Sequence, residues 1–409
     1  VIASNGTGVK HFWQNVADGV NGVTPCHAHV KHGFASRACG AVKDFEPFEH
    51  GAPRKISVRR GRHVEFALAA SSMAIEDAGF DPDTLETDRF GVVISTAIAD
   101  AGLMERDLLF LSDDGRIAVD ATRAEARFAD SLDFGRAARE TALRFNARGT
   151  VTTISTGCTA GLDALGFAID EIREGRADVM LAGASEAPLC PLAIGSFEAL
   201  GALSTRSCAD PTEASTPFSA DRDGFVIAEG CGMMVLESEE HFAARGARVY
   251  AELAGFASVN NAYHMTDLAP DGLAMARCIS LALDDAGCDP DVIDHVSAHG
   301  SSTPQNDINE TAAIKSVFGS RAKQIPINSL KSMTGHALSA SNAMEVIAVC
   351  LEIHHGLIHP TINYRRPAEE CDLDYVPNAA RPARIGAALK LASGFSGIHS
   401  ALVIRAVTG

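Results

Sequence analysis

What the sequence lacks narrows its function first. No uninterrupted apolar run approaches the ~20 residues that a membrane-spanning helix requires, and no signal-peptide pattern is visible, so a cytoplasmic location is expected. Basic residues are in deficit. Lys and Arg number 35 against 52 Asp and Glu, and a formal charge of −17 argues against a duplex nucleic-acid partner, which needs a basic surface. The ten cysteines show neither a repeating spacing nor a paired CxxC, which excludes a disulfide framework and fits a reducing compartment. Cys26, His27, His29, His32 and Cys39 lie close together but lack the spacing of a structural zinc site, so no metal is expected. Nicotinamide and flavin signatures are also missing: GFASRACG (33–40) lacks the strand-to-helix context of a GxGxxG turn.

What remains has the proportions of a globular protein, 46% hydrophobic and 21% charged, and its 409 residues can bury a large core as one sizeable domain or two fused halves. Two halves echo each other in the order of their elements. In the first, FGVVISTA (90–97), VTTIST (151–156) and ADVMLAGASEA (177–187) read as strands, with a helix over 158–174. In the second, IDHVSAHGSS (293–302) and IPINSL (325–330) read as strands, SASNAMEVIAVCLEIHHG (339–356) as a helix ending at Gly356, and LKLASGF (389–395) and SALVIRAV (400–407) close a sheet. Alternation of strands and helices predicts mainly parallel sheets covered on both faces. Ala/Leu stripes at helical spacing over 64–79 and 272–287 predict core helices. The charged segment from Ala99 to Gly149, with helical patterns at 103–116 and 124–144, is too regular for a linker.

The most informative residue is Cys158, in STGCTAGLDALGFAIDEI (155–172), where a β-type run ends in Gly and Cys and an amphipathic pattern begins at once. A thiol at a helix N-terminus meets unpaired N–H groups and the positive end of the macrodipole, a setting in which cysteines titrate at roughly 3.5–7.5. An isolated cysteine at such a corner is usually a packing residue. Its company reverses that reading. VSAHGSSTPQND (296–307) places His299 at a strand end, and INSLKSMTGH (327–336) places Lys331 and His336 at another. Ligands in α/β proteins bind beyond the carboxyl ends of strands, so these distant segments can converge on one pocket.

In this order and at these separations, the Cys, the His-Gly and the Lys-x4-His resemble the β-ketoacyl-acyl carrier protein synthases of the thiolase superfamily. The resemblance extends over nearly the whole chain, including TPFSADRDGFVIAEG (216–230) and SGFSG (393–397), which is similar to the family's glycine-rich gating loop. STGCTAGLDAL, NAYHMTDLAPDG (261–272) and ECDLDYVP (370–377) look closest to the α ketosynthase subunit of bacterial type II polyketide synthases. The resemblance implies a duplicated, five-layered αβαβα thiolase-like fold, with residues 1–249 carrying the nucleophile and residues 250–409 the histidine pair. It also implies that a first strand precedes VIASNGTGVKHFW. The 99–149 segment would form much of the dimer interface and the acyl tunnel wall, with Phe110 and Leu111 as contacts.

The implied chemistry is a decarboxylative Claisen condensation. Cys158 would take an acyl group from the phosphopantetheine arm of an acyl carrier protein, the only cofactor implied. His299 and His336 would hold the enolate formed when malonyl-carrier protein loses carbon dioxide. The amides of Cys158 and Phe395 would form the oxyanion hole, and Lys331, with Glu310 as its counter-charge, would organise the histidines. Asp307, Arg222 and Asp223 are expected to fix loops. Within PRKISVRRGRH (53–63), Arg54, Lys55, Arg59, Arg60 and Arg62 form a basic patch on an acidic chain, and the resemblance makes it a docking surface for the carrier protein. A chain-length-factor subunit is the expected partner in a heterodimer.

Other readings share parts of this pattern. A homodimeric fatty-acid elongating synthase would keep every catalytic residue. A non-catalytic chain-length subunit typically lacks the cysteine, and a thiolase would carry a second catalytic Cys after Cys371, where none follows. Two departures from the family stand out. Ala337, Leu338, Ser339, Ala340, Ser341 and Asn342 replace its glycine-rich stretch after the second histidine, and Ser396 stands where the gating loop usually has Gly.

Overall fold

The computed structural model describes residues 1–26, 31–47, 60–206, 210–269 and 271–407. Its strands, in chain order, are β1 (Ile2–Ala3), β2 (Gly6–Thr7), β3 (Thr24–Pro25), β4 (Ala38–Cys39), β5 (Phe90–Ser95), β6 (Val151–Thr152), β7 (Val179–Glu186) and β8 (Gly230–Glu237). They continue as β9 (Glu252–Asn260), β10 (His295–Ser297), β11 (Ile327–Asn328), β12 (Leu357–Ile358), β13 (Arg381–Pro382), β14 (Ala387–Gly394) and β15 (Ile398–Arg405).

The near-continuous apolar runs become buried central strands. Every residue of β5, β7 and β14 is buried, as expected of strands covered on both faces. One sheet runs β2-β1-β8-β7-β5-β6, with β5 parallel to both β6 and β7 and β8 antiparallel to β7. The other runs β11-β10-β14-β15-β9, with β10 parallel to β11 and β14, and β15 antiparallel to both β14 and β9. Helices Arg62–Ala78 and Arg136–Phe145 cover the outer face of the first sheet, and Leu273–Asp285 packs on the outer face of the second with Pro304–Phe318 against it. Helices Ala160–Arg173 and Ser339–His355 touch each other and both sheets. The result is the five-layered αβαβα arrangement.

The central pair approaches closely because Gly161 has no side chain. A Cβ there would lie 2.3 Å from the Ser339 carbonyl oxygen and 3.2 Å from Ala184 Cβ. This contact brings the turn bearing Cys158 to the N-terminus of the Ser339–His355 helix. That helix ends at Gly356 in the left-handed region (φ 65°), the cap expected from the sequence. Two strands are shorter than their apolar runs: ladder pairing covers only 151–152 of 151–156 and 327–328 of 325–330, because each chain leaves the sheet to enter the site. The helical pattern at 124–144 is broken into a 3-10 segment, Ala126–Leu132, and a helix, Arg136–Phe145. Asp133 causes the break by accepting from the Gly135 N–H (3.0 Å), a local bond that competes with helix continuation.

Candidate active site

Cys158 lies in a 3-10 turn, Gly157–Thr159, that runs directly into the Ala160–Arg173 helix. Gly157 adopts φ 69°, with no atom within 4 Å of where a Cβ would sit, so the turn itself is what requires glycine. The half-buried thiol packs against an apolar cluster that includes Phe225, Ile227 and Leu338. Asn342 Nδ2 donates to the Cys158 carbonyl. The backbone of the SGFSG loop approaches from the end of β14, where a Cβ on Gly394 would lie 3.5 Å from Cys158 N. Phe395 follows at once, its ring 6.3 Å from that of Phe197, and Ser396 takes φ 64°.

His299 follows β10 and His336 follows a short helical turn, Lys331–Thr334; both are buried. Their rings stand edge to face, with centroids 5.3 Å apart and planes at 82°. Burial and the charge of Lys331 hold both imidazoles well below the usual histidine range, and Lys390 acts in the same direction. They are therefore neutral near pH 7. Ser341 Oγ accepts from the Ala337 N–H at 2.7 Å and lies 3.1 Å from His336 Nδ1; a serine proton donated there leaves the His336 proton on Nε2, the tautomer that can donate into the site. The His336 backbone is pinned by bonds to Val226 O and from Ala228 N (2.7 and 2.9 Å).

Lys331 is buried and donates to Glu345 Oε1 (2.6 Å) and to the carbonyl of His299 (2.7 Å). Its counter-charge is thus Glu345, not Glu310 as expected from the sequence. Glu310 instead accepts the backbone N–H groups of His299 (2.6 Å) and Gly300 (2.9 Å). It sits where helix Pro304–Phe318 passes under the loop after β10, too committed to that loop to face Lys331. Burial raises Glu310 to about 7, against the two amides that stabilise its charge. Asp307 accepts from Phe218 N (2.7 Å) and lies 4.0 Å from Arg222, while Asp223 accepts from Ser204 Oγ (2.6 Å). All three tie loops together.

Two further expectations are corrected. The Cys158 thiol is not lowered by its helix terminus. Burial pushes it up to about 12, helped by Glu186, and the Lys331 charge and the Cys158 amide offset this only in part. Cys158 therefore rests as a thiol. In the basic patch, Arg54, Lys55 and Arg59 lie outside the described residues. Arg60 pairs inward with Glu140 at 2.5 Å, and the exposed Arg62 makes a bidentate pair with Glu229 (2.9 and 3.0 Å) and stacks on Phe66. These two arginines hold helix Arg62–Ala78 in place through acidic partners.

Glu345, Lys390 and Ser341 were not anticipated, yet the first two carry a readable signal. Each is a charged residue inside an apolar run, AMEVIAV and AALKLAS, and a charge placed there must be paired. Ser341 carried no such signal beyond its departure from glycine-rich sequence. Among the described residues no group of three or more His, Cys, Asp or Glu could hold a metal. His27 and His29 of the Cys/His group lie outside those residues. A cavity of about 640 Å³ lies elsewhere, lined by Met73, Met233, Tyr250 and Cys350 among others, and contains none of these side chains. Among the described residues no helix is long and apolar enough to cross a membrane.

The family model for the N-terminal domain of β-ketoacyl synthases matches residues 1–241, and the model for the C-terminal domain matches residues 250–365. The chain belongs to the β-ketoacyl synthase family. It is similar to the ketoacyl synthase alpha subunit of the tetracenomycin polyketide synthase from Streptomyces glaucescens, 42% identical over 99% of this chain and 95% of that protein. Among solved structures, it resembles a chain from the complex of a type II polyketide synthase acyl-carrier protein with its ketosynthase bound to the hexaketide. The two are 55% identical, with a TM-score of 0.93 over 99% of this chain and 97% of that one. A chain of the ishigamide ketosynthase/chain length factor is 34% identical, with a TM-score of 0.90 over 100% of this chain and 97% of that one. As a β-ketoacyl synthase the protein is an enzyme of the acyltransferase class, and its thiolase-like fold brings one thiol, two neutral imidazoles and a buried lysine to one place.

Proposed function

We propose that the protein is the α ketosynthase subunit of a type II polyketide synthase, extending an acyl chain with malonyl units delivered by an acyl carrier protein. The observation that carries the condensing chemistry is the pairing of His299 and His336, both neutral, 5.3 Å apart and backed by Lys331, beside the turn that bears Cys158, and the 55% identity to a chain of a type II polyketide ketosynthase complex supports the polyketide assignment.

In the loading step the Cys158 sulfur attacks the carbonyl carbon of the acyl-phosphopantetheine thioester. The carbon–sulfur bond to pantetheine breaks, and the thiol proton is transferred to the departing sulfur. The amides of Cys158 and Phe395 donate to the developing oxyanion, consistent with the close approach of the Gly394 backbone. Malonyl-carrier protein then binds. Its bond to the carboxylate breaks, carbon dioxide leaves, and the electron pair enters the thioester enolate, whose oxygen is held by the N–H groups of His299 and His336. The enolate carbon attacks the acyl-Cys158 carbonyl, and the cysteine sulfur leaves and recovers a proton. Phosphopantetheine thus arrives on the substrate.

The partner in this reading is a homologous chain-length-factor subunit. Leu108, Leu109, Phe110, Ile117, Val119, Leu132 and Phe134 leave an exposed apolar array on the 99–149 segment, more than an isolated surface normally presents. Phe110 is held there by Phe128 (5.8 Å) and Arg123 (4.6 Å). Carrier docking falls mainly to Arg54, Lys55 and Arg59, since Arg60 and Arg62 are already paired with Glu140 and Glu229. Native mass spectrometry of the protein co-expressed with its homologous subunit tests the assembly. A one-to-one pair that extends malonyl units supports the proposal; an active homodimer that extends alone replaces it with a fatty-acid synthase.

A further inference from the structure

Lys390 has no place in the chemistry above. It lies in the middle of β14, in AALKLASG, where every residue is buried and Lys390 itself has no exposed surface. An ammonium there must be paired, and its contacts are specific. Nζ donates to the carbonyls of Ala298 (3.1 Å) and Leu391 (2.6 Å) and lies 2.6 Å from Glu345 Oε2. Lys331 takes the other oxygen of the same carboxylate at 2.6 Å and the carbonyl of His299 at 2.7 Å. Successive carbonyls on either side of the His299 amide are therefore held by two ammonium groups anchored on one carboxylate. Glu310 holds the adjoining N–H groups of His299 and Gly300.

A neutral pair of Lys331 and Glu345 would have satisfied the carboxylate. Adding Lys390 sets a second ammonium on that one carboxylate, with Glu310, raised to about 7, as the next carboxylate facing it, and an extra buried charge is costly wherever its pairing is incomplete. Such a cost is understandable where negative charge develops during a reaction, because a fixed positive potential in a dry site stabilises it without reorganisation. We propose that Lys390 is a positioning residue for decarboxylation: together with Lys331 and Glu345 it clamps the His299 backbone and adds a second ammonium behind the imidazole pair.

The neighbouring groups agree with this role. Lys390 faces Glu345 from the Ser339–His355 helix, Lys331 from the turn before His336, and Glu310, with Asp307 behind it, from the Pro304–Phe318 helix. Its charge, with those of Lys331 and His399, also falls on His299, and with that of Lys331 on His336. Burial lowers Lys390 to about 8, so the clamp carries the Lys390 charge below that pH and loses it above.

This inference rests on the condensing reading, and the test separates the two. Carbon dioxide release from malonyl-carrier protein and acyl loading of Cys158 are measured between pH 6 and 9.5 for the wild-type complex and for Lys390→Met. At neutral pH release should fall roughly tenfold in the variant, less than the 10²–10³ of a direct donor, while loading changes less than about twofold. The wild type should also lose rate as pH rises through about 8, and the variant should show no such limb. Equal loss of both half-reactions with the alkaline limb retained would mean a merely structural lysine and overturn the proposal. So would wild-type release in the variant. If Lys390→Met does not fold, release by Cys158→Ala, which has no thiol to titrate, decides: a limb near pH 8 supports the clamp, and a flat profile overturns it. A wild-type complex that releases no carbon dioxide would instead refute the condensing reading itself.

Discussion

Replacing Ser341 by Ala tests how the second histidine is held as a donor. Its hydroxyl accepts from the Ala337 N–H at 2.7 Å and faces His336 Nδ1 at 3.1 Å, in a site closed to water. Removing it leaves a buried N–H without its partner, at about 1–3 kcal/mol, so a loss of about 2 kcal/mol in unfolding free energy is expected. The catalytic effect is separate. Without the serine proton on Nδ1, the imidazole loses a bias of about 1 kcal/mol toward the tautomer with the proton on Nε2, roughly a fivefold loss of the donor form. Carbon dioxide release from malonyl-carrier protein should therefore fall by up to about fivefold, whereas loading of Cys158, which needs a proton acceptor and not this donor, should change little. Ser341→Thr should retain release because it keeps the hydroxyl. Stopped-flow release assays and chemical denaturation measure the two effects independently. Destabilisation of the expected size with release within twofold of wild type would refute the tautomer argument.

Other perturbations follow from the same geometry. Glu345→Gln leaves Lys331 and Lys390 with no carboxylate between them, and breaking a buried pair costs about 3–5 kcal/mol, so the denaturation midpoint should drop sharply; an unchanged midpoint would show that the clamp is dispensable for folding. Histidines held neutral make the protein acid-sensitive. His299, His336 and His399 all titrate below 6.5 when folded, so the unfolded chain binds more protons, and stability should decline as pH falls through 6.5. His399, lowered to about 4 by burial, accounts for about 3 kcal/mol of that decline, and a denaturation midpoint that is level between pH 7 and 5 would contradict it. Ser396→Gly relieves a left-handed backbone (φ 64°) in the gating loop and should speed acyl exchange measured by single-turnover loading; a slower exchange would mean that Ser396 assists opening. Arg59→Glu should raise the KM for carrier-bound substrates while sparing small thioesters, and the effect should shrink with salt; equal effects on both would assign Arg59 to solvated surface.

Much of the fold is legible because burial on both faces leaves long apolar runs, and these became β5, β7 and β14 almost residue for residue. The short strands were overread at 151–156 and 325–330 because apolar character continues where the chain turns into the pocket, and periodicity does not report hydrogen-bond partners. In the site, Cys158, His299, Lys331 and His336 could be singled out because each is polar at the end of an apolar run. The partner of Lys331 could not. Glu310 and Glu345 are both buried carboxylates on helices, and only the packing of Gly161 against Ser339 places Glu345 beneath the lysine while Glu310 serves the loop after β10. Charge clusters mislead for a related reason: Arg60 and Arg62 look like a surface patch in sequence but meet Glu140 and Glu229 from segments far along the chain.

The central claim is a division of labour, with Cys158 accepting the acyl group and the two histidines serving decarboxylation. Parallel measurement of covalent acyl loading and of carbon dioxide release from malonyl-carrier protein in Cys158→Ala, His299→Ala and His336→Ala tests it most directly. The account predicts that Cys158→Ala abolishes loading yet still releases carbon dioxide, and that either histidine variant loses roughly 10²–10³-fold in release while loading falls much less. Loading at the wild-type rate without Cys158, or histidine variants that keep decarboxylation and lose loading, would contradict it.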